Sequence, residues 1–345
     1  QQTGAIAIGF QAGQATQGTN GIAIGVQAGQ TNQQSGAIAI GFQAGQATQR
    51  VNGIAIGTQA GQTNQQSGAI AIGNLAGQAT QGTNGIAIGV QAGQTNQQTG
   101  AIAIGFQAGQ ATQGTNGIAI GVQAGQTNQQ SGAISIGNLV GQATQGTNGI
   151  AIGVQAGTTN QGSGAIAIGY QVGLTGQGIN AIAIGQFAGQ TGQAANTIVL
   201  NASGSAVIGA GATPNAFYVS PVRNGSSSSP VLVYDTSTGE ITHNTSSIKY
   251  KKNVIDLQQD TSKIYNIKAR EYDTKDDNKH FIGYIAEELN DVDTYFTWKN
   301  PDNTPEGIEW FNLLIYTIEE VKKLKQKNIE LTNRIEQLEQ LNPNP

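Results

Sequence analysis

A sixteen-residue phrase recurs from Gly4 to about Leu200 without a slip, and few folds are open to a chain built this way. The phrase reads Gly-X-Ile-Ala-Ile-Gly-X-Gln-Ala-Gly-Gln, followed by five small polar residues. Its first isoleucine stands at Ile6, Ile22, Ile38, Ile54, Ile70, Ile86, Ile102, Ile118, Ile134, Ile150, Ile166, Ile182 and Ile198, thirteen copies in all. A fixed period of this length marks a solenoid: one repeat cannot bury its own apolar face, and stacking does so instead. The expected fold is mainly β, with a solenoid of thirteen rungs over residues 1–200.

Within Ile6-Ala7-Ile8 the side chains alternate, so both isoleucines take one face and the alanine the other. Phe10-Gln11-Ala12 alternates again between Gly9 and Gly13, which reads as a second short strand. The stretch Gln14-Ala15-Thr16-Gln17-Gly18-Thr19-Asn20 reads as a polar turn between rungs. Stacking puts Ile over Ile and Ala over Ala at about 4.8 Å per rung, a rod on the order of 60 Å long. Glycines 9, 25, 41 and onward, and 13, 29, 45 and onward, mark backbone of positive φ or close approach. Two isoleucines and an alanine per rung bury little against the cost of ordering sixteen residues, at about 1 kcal/mol or more each. The alanine faces are therefore expected to be buried against other copies of the chain.

Charge divides the 345 residues sharply. Residues 1–222 hold one charged side chain, Arg50, while the other fifteen basic and all twenty acidic residues follow. A nearly uncharged rod cannot neutralise phosphates, which argues against nucleic acid as a partner, and it offers anionic lipid no basic face. There is no cysteine, so disulfides and thiolate metal sites are excluded, and no cofactor is expected. No apolar run reaches membrane-spanning length, so no membrane insertion is expected. The chain opens on Gln and holds no methionine, which reads as a fragment or a processed product.

The repeats alternate between an Ala-Thr-Gln-Gly-Thr-Asn turn and a Thr-Asn-Gln-Gln-Ser-Gly turn, giving a 32-residue super-repeat through about residue 158. Where the residue after the first glycine turns polar, at Asn74, Asn138 and Gln186, the next turns apolar: Leu75, Leu139 and Phe187. Neutral variation is the favoured reading of that exchange, with a local bulge or a changed packing partner as the alternative. Thr, Asn and Gln ladders raise ice or glycan binding. Thr16 alternates with Asn32, however, so threonines do not form the matched columns of a flat ice-binding face.

The Ile-Ala-Ile-Gly-X-X-Ala-Gly phrase over residues 4–200 resembles the head repeats of trimeric autotransporter adhesins of the YadA type. That resemblance implies a left-handed β-roll with three chains side by side. The rung here is about two residues longer than the commonest version of that family.

After Ile198-Val199-Leu200 the period fails. Residues 201–245 read as a β connector with strand signals at Ala216–Val219, Pro230–Tyr234 and Gly239–Thr242, around the loop Asn224-Gly-Ser-Ser-Ser-Ser229. Residues 246–345 are charged and mixed α/β. Three segments there, Ser246-Ser-Ile-Lys-Tyr-Lys-Lys-Asn-Val254, Phe281-Ile-Gly-Tyr-Ile-Ala-Glu-Glu-Leu289 and Ile308-Glu-Trp-Phe-Asn-Leu-Leu, resemble the self-cleaving intramolecular chaperone of endosialidase-type tailspikes. The resemblance implies a trimerising domain that folds the fibre and cuts itself off through a Ser–Lys dyad. It places the serine at Ser246, the lysine at Lys251 and the cut between Thr245 and Ser246. A serine hydroxyl needs an adjacent base, and lysine serves only when burial or neighbouring cations such as Lys249 and Lys252 depress its pKa. The family's usual Asp after the serine and Arg-Leu before the lysine are Ser247, Lys249 and Tyr250 here. His243 and His280 read as surface or core residues, Asp276-Asp277 as a loop, and Glu287 and Glu288 as structural.

Residues 308–340 are helical in pattern. Leu314, Val321, Asn328 and Ile335 fall seven apart, as do Thr317, Leu324, Leu331 and Leu338, the a and d positions of a coiled coil. Asn328 at an a position would fix register and oligomer state. With both resemblances, the expectation is a homotrimeric fibre on a virion surface or phage tail that engages a host receptor or glycan. The alternative is a bacterial trimeric surface adhesin with a permanent trimerisation cap. The expected chemistry is a single self-cleavage; glycan hydrolysis would need paired carboxylates in the rod, and residues 1–222 hold none.

Overall fold

The computed structural model describes residues 2–207, 213–222, 232–235, 238–243, 247–275, 278–300 and 302–341. The chain divides into two compact units, Gln1–Ser226 and Ser227–Pro345.

The first unit is a parallel β-solenoid of about thirteen sixteen-residue turns. Its main ladder is a fourteen-stranded parallel sheet that begins at Ile6–Ile8 and runs in chain order. Register is strict: Ile6 pairs with Ile22, Ala7 with Ala23 and Ile8 with Ile24, and so on along the coil. The coil does not stop at Leu200. Phe217–Ser220 pairs in parallel with Ile198–Asn201, nineteen residues on, and adds a fourteenth strand from what the sequence assigns to the connector.

Two expectations about the rung are corrected. Phe10–Ala12 is not a strand: Gln11 sits at φ 56° in a turn that carries the chain round a corner. The second ladder lies instead within the polar stretch, where Gln17 pairs with Gln33 and Gln33 with Gln49. This ladder strengthens into three-residue strands at Thr127–Gln129, Ala143–Gln145 and Thr159–Gln161.

The second correction concerns the inside. The alanines are buried by their own coil, not by other copies: Ala23, Ala28 and Ala37 are all inaccessible within the single chain. The isoleucines point outward and are half-exposed along most of the sheet. A coil this narrow packs alanine at most core positions and takes no apolar side chain larger than valine, at Val140, Val172 and Val199, so the small residue goes in and isoleucine goes out.

The interior is completed by glutamine. One per rung, from Gln17 to Gln193, is fully or almost fully buried. Gln33 Nε2 donates to Ile22 O at 2.7 Å and to Ala37 O at 3.2 Å, tying the strand to the turn across the core. Its neighbour Gln49 accepts from Gln33 Nε2 at 3.2 Å. Ser135 replaces one core alanine, and its hydroxyl donates to Gln145 Oε1 at 2.5 Å, so no donor is stranded. Leu75, Leu139 and Phe187 sit at φ 57°, 53° and 57°, as Gln11 does, so the polar–apolar exchange makes no bulge. Phe187 packs edge-on against Tyr170 of the preceding rung, ring centres 5.6 Å apart.

Among the described residues, the second unit has three antiparallel hairpins, Leu232–Tyr234 with Ile241–His243, Arg270–Asp273 with His280–Gly283, and Thr297–Lys299 with Pro305–Ile308. It also has 3-10 segments at Ile248–Tyr250, Thr261–Asn266 and Thr294–Phe296, helix α1 (Ala286–Val292) and helix α2 (Trp310–Leu341). Its core is Leu289, Phe296, Leu313 and Tyr316. Ile308 ends a strand, so the terminal helix begins two residues later than the sequence pattern places it.

Candidate functional site

Helix α2 carries the strongest functional geometry, because it presents two different faces. Leu313, Tyr316 and Glu320 face the rest of the unit and are buried. Tyr316 Oη donates to Asp293 Oδ2 at 3.2 Å, and Lys263 Nζ donates to the same oxygen at 3.0 Å. Thr261 bonds Glu320 through a very short contact, and Lys323 Nζ reaches Thr261 Oγ1 at 2.6 Å and Glu320 Oε1 at 2.8 Å. These clusters clamp the first half of the helix to the 3-10 segment. The heptad pattern gives no sign of this face. Its residues recur at 313, 316, 320 and 323, one register round from the a and d positions.

The a and d positions lie on the adjacent face, one residue and so about 100° round the helix. Leu314, Val321, Leu324, Leu331, Ile335 and Leu338 are all about half-exposed, and every residue from Val321 to Leu341 is exposed. Asn328 falls on the same open stripe.

The carboxylates of the clamp are held ionised. Lys323 and Thr261 keep Glu320 below the usual glutamate value against its burial. Burial pushes Asp293 up, but the Tyr295 N–H and Lys263 outweigh it, and the net shift is downward. The Ser262 hydroxyl and N–H lower Asp260, and Arg270 lowers Glu288. Tyr316 is pushed up to about 12 by burial and by Asp293 beside it.

A carboxylate with a depressed folded pKa favours folding fully above its unfolded value and loses that contribution as pH falls through the folded one. The ordinary values here are 3.8 for aspartate and 4.5 for glutamate, so the second unit is expected to lose stability from about pH 4 downward. Both tryptophans of the chain, Trp298 and Trp310, lie in this unit, whereas residues 1–222 have no carboxylate to titrate. Tryptophan fluorescence should therefore change in acid while the far-ultraviolet β signal of the coil persists. A fluorescence signal constant to about pH 2.5 would remove this account of the clamp.

Of the proposed dyad, Ser246 lies outside the described residues, as does Thr245 across the proposed cleavage bond. Lys251 follows a 3-10 turn, Ile248–Tyr250, and its N–H closes that turn on Ile248 O at 3.0 Å. Lys251 is exposed, and Lys249 Nζ stands 4.8 Å from the centre of the Tyr250 ring. Asp276-Asp277 lies outside the described residues too. His280 is paired across its hairpin, Nδ1 to Asp273 Oδ1 at 2.9 Å, a partner that the sequence reading missed. Glu288 forms a two-pronged ion pair with Arg270, both contacts at 2.9 Å. No cluster of three metal-ligating side chains occurs among the described residues, and no described helix is long and apolar enough to cross a membrane.

On the coil, the outward isoleucines form two parallel columns beside a third column of Phe10, Val26, Phe42, Val90, Phe106, Val122, Val154 and Tyr170. Members of all three are partly or substantially exposed. Most of the remaining surface is amide and hydroxyl, interrupted by exposed Arg50, Val51 and Ile179. Gln27 Nε2 donates to Gln11 Oε1 at 3.0 Å and Gln43 Nε2 to Gln27 Oε1 at 2.8 Å, in a ladder that runs with the coil.

No family model, curated protein or solved structure matches this chain.

Proposed function

We propose that the chain is one strand of a homotrimeric fibre whose C-terminal helix brings three copies together. The observation that carries this is the exposed a/d stripe of α2, which continues for eighteen residues beyond Lys323, the last to bond another segment among the described residues of its unit. A helix of that length without packing is marginal in water, whereas three such stripes facing one another form a coiled coil. The outward isoleucine face of the coil is the second surface that wants covering, and side-by-side assembly covers it. In this reading the nearly uncharged coil is the shaft or head of a virion or phage-tail fibre. It meets a host receptor or glycan through its amide-rich sides.

The second part of the proposal is that residues 246–345 act as an intramolecular chaperone, with Ser246 as nucleophile and Lys251 as its base, cutting the Thr245–Ser246 bond once. Its support is the motif in the sequence. A permanent cap on a bacterial surface adhesin is the competing reading, favoured by an uncut chain.

Native and denatured masses of freshly made chain, beside those of Ser246→Ala, test both parts. The expected result is a trimer in each case, with two fragments from the parent and an intact variant. A monomer at micromolar concentration would sink the fibre reading. Full-length chain in both samples would remove the protease and leave the cap.

A further inference from the structure

The coil repeats one chemically reactive dipeptide at the same place in alternate turns: Asn20-Gly21, Asn52-Gly53, Asn84-Gly85, Asn116-Gly117 and Asn148-Gly149. Asparagine before glycine loses ammonia readily, because glycine has no side chain to hinder its own nitrogen from reaching the carboxamide. Each asparagine here is exposed and each glycine buried.

Two features of the fold oppose that reaction at every copy. The glycine nitrogen is engaged. Gly21, Gly53, Gly85, Gly117 and Gly149 donate to the carbonyl three residues back at 3.0–3.1 Å. The carboxamide is also turned away, along the coil axis. Each Asn Oδ1 lodges against a glycine of the preceding rung, where a Cβ on Gly4, Gly36, Gly68, Gly100 or Gly132 would collide with it. This seating also accounts for part of the alternation: a turn with Asn at its left-handed position follows a turn with Gly there.

We propose that these five bonds are latent deamidation sites that the folded coil holds shut, so that reaction at each records the opening of its own turn. In an opened turn the Gly85 backbone nitrogen attacks Asn84 Cγ and forms the N–Cγ bond. The Cγ–Nδ2 bond breaks, and Nδ2 leaves as ammonia, carrying the glycine's amide proton. Water then opens the cyclic imide at either carbonyl, giving aspartate or isoaspartate. Either product places a carboxylate in a region whose only charge is Arg50. Isoaspartate also lengthens the backbone of its rung, so that the sixteen-residue register cannot re-form. Opening is thereby made irreversible. This inference stands on the coil alone and not on the fibre reading.

The intervening rungs supply a reference set. Asn32, Asn64, Asn96, Asn128 and Asn160 share the left-handed φ but precede glutamine, whose side chain hinders attack. The test incubates the whole chain at mildly alkaline pH, native and in urea, and follows each bond by peptide mapping. In urea the Asn-Gly bonds should convert ahead of the Asn-Gln bonds. In the native chain they should convert more than about tenfold slower, in step with amide exchange of the same turn. Gly68→Ala displaces the Asn84 side chain and should speed Asn84 alone, with Asn116 at its native rate. A variant that fails to fold would instead convert both at the urea rate, which the parent comparison already measures. Equal native and urea rates at the five bonds, or a folded Gly68→Ala chain with Asn84 unaffected, would overturn the proposal.

Discussion

Replacing Gln113 by glutamate is expected to unfold its part of the coil at neutral pH and to spare it in acid. Gln113 is fully buried, and its Nε2 donates to Ile102 O at 2.7 Å and to Gly117 O at 3.0 Å. Its Oε1 accepts from Gln97 Nε2 at 3.1 Å. A carboxylate there keeps the acceptor but sets a negative oxygen against two carbonyls, with no cation but Arg50 in residues 1–222 to offset it. Breaking a buried polar set in this way costs about 3–5 kcal/mol. Burial and the facing carbonyls raise the folded pKa, so the penalty shrinks as pH falls toward the unfolded value of about 4.3. Protonated, the side chain regains one of its two donors. The slope with pH is thus opposite to that of the second unit, and peptide-resolved amide exchange over residues 102–133 at two pH values separates them. Parent-like protection at pH 7 would show that the buried amide is dispensable.

Gly105→Ala is expected to break the coil locally at any pH. Gly105 lies at φ 129°, where L side chains rarely go, and an added Cβ would stand 2.8 Å from Gly121 C and collide with its carbonyl oxygen. The in-line bonds Gly105 N to Ile88 O and Gly121 N to Ile104 O, both 2.8 Å, would have to lengthen together. Strain and overpacking sum to about 2–6 kcal/mol. Each rung meets only its neighbours, so the loss should appear as early exchange in the rungs on either side of residue 105 and fade beyond them. Gly204→Ala is the control: φ is 75° and nothing lies within 4 Å of the added methyl, so only backbone strain of about 1–2 kcal/mol applies. A Gly105→Ala chain as stable as Gly204→Ala would refute the close-stacking account.

Much of this coil was legible in the sequence, and what was missed has a common cause. The period fixed the stacking register, and the recurrent glycines marked left-handed and close-packed backbone. Alternation in Ile6-Ala7-Ile8 shows that two faces differ but not which one is inside. That depends on the width of the coil, which admits alanine and excludes isoleucine. Gln17 was hidden because polarity reads as turn. Its signal was constancy, since glutamine recurs at that place in every rung to Gln193 while its neighbours vary. In α2 the open a/d stripe was plain, but the buried face of Leu313, Tyr316 and Glu320 follows from partners distant in sequence, Thr261 and Asp293, which periodicity does not reveal. Ser246 and Lys251 rest on the motif, and of the two Lys251 lies among the described residues, at the end of a local 3-10 turn.

Stacking sixteen residues into one rung also makes the coil a store of length. A rung advances the coil by about 4.8 Å, yet the same residues drawn out span roughly 54 Å, more than ten times as far. The ladder bonds run along the axis, so a pull on the two ends loads successive rungs in series. Every rung that yields pays out slack before the next is strained. Tension on the coil is met by extension in increments, with each intact rung carrying the same load as the last.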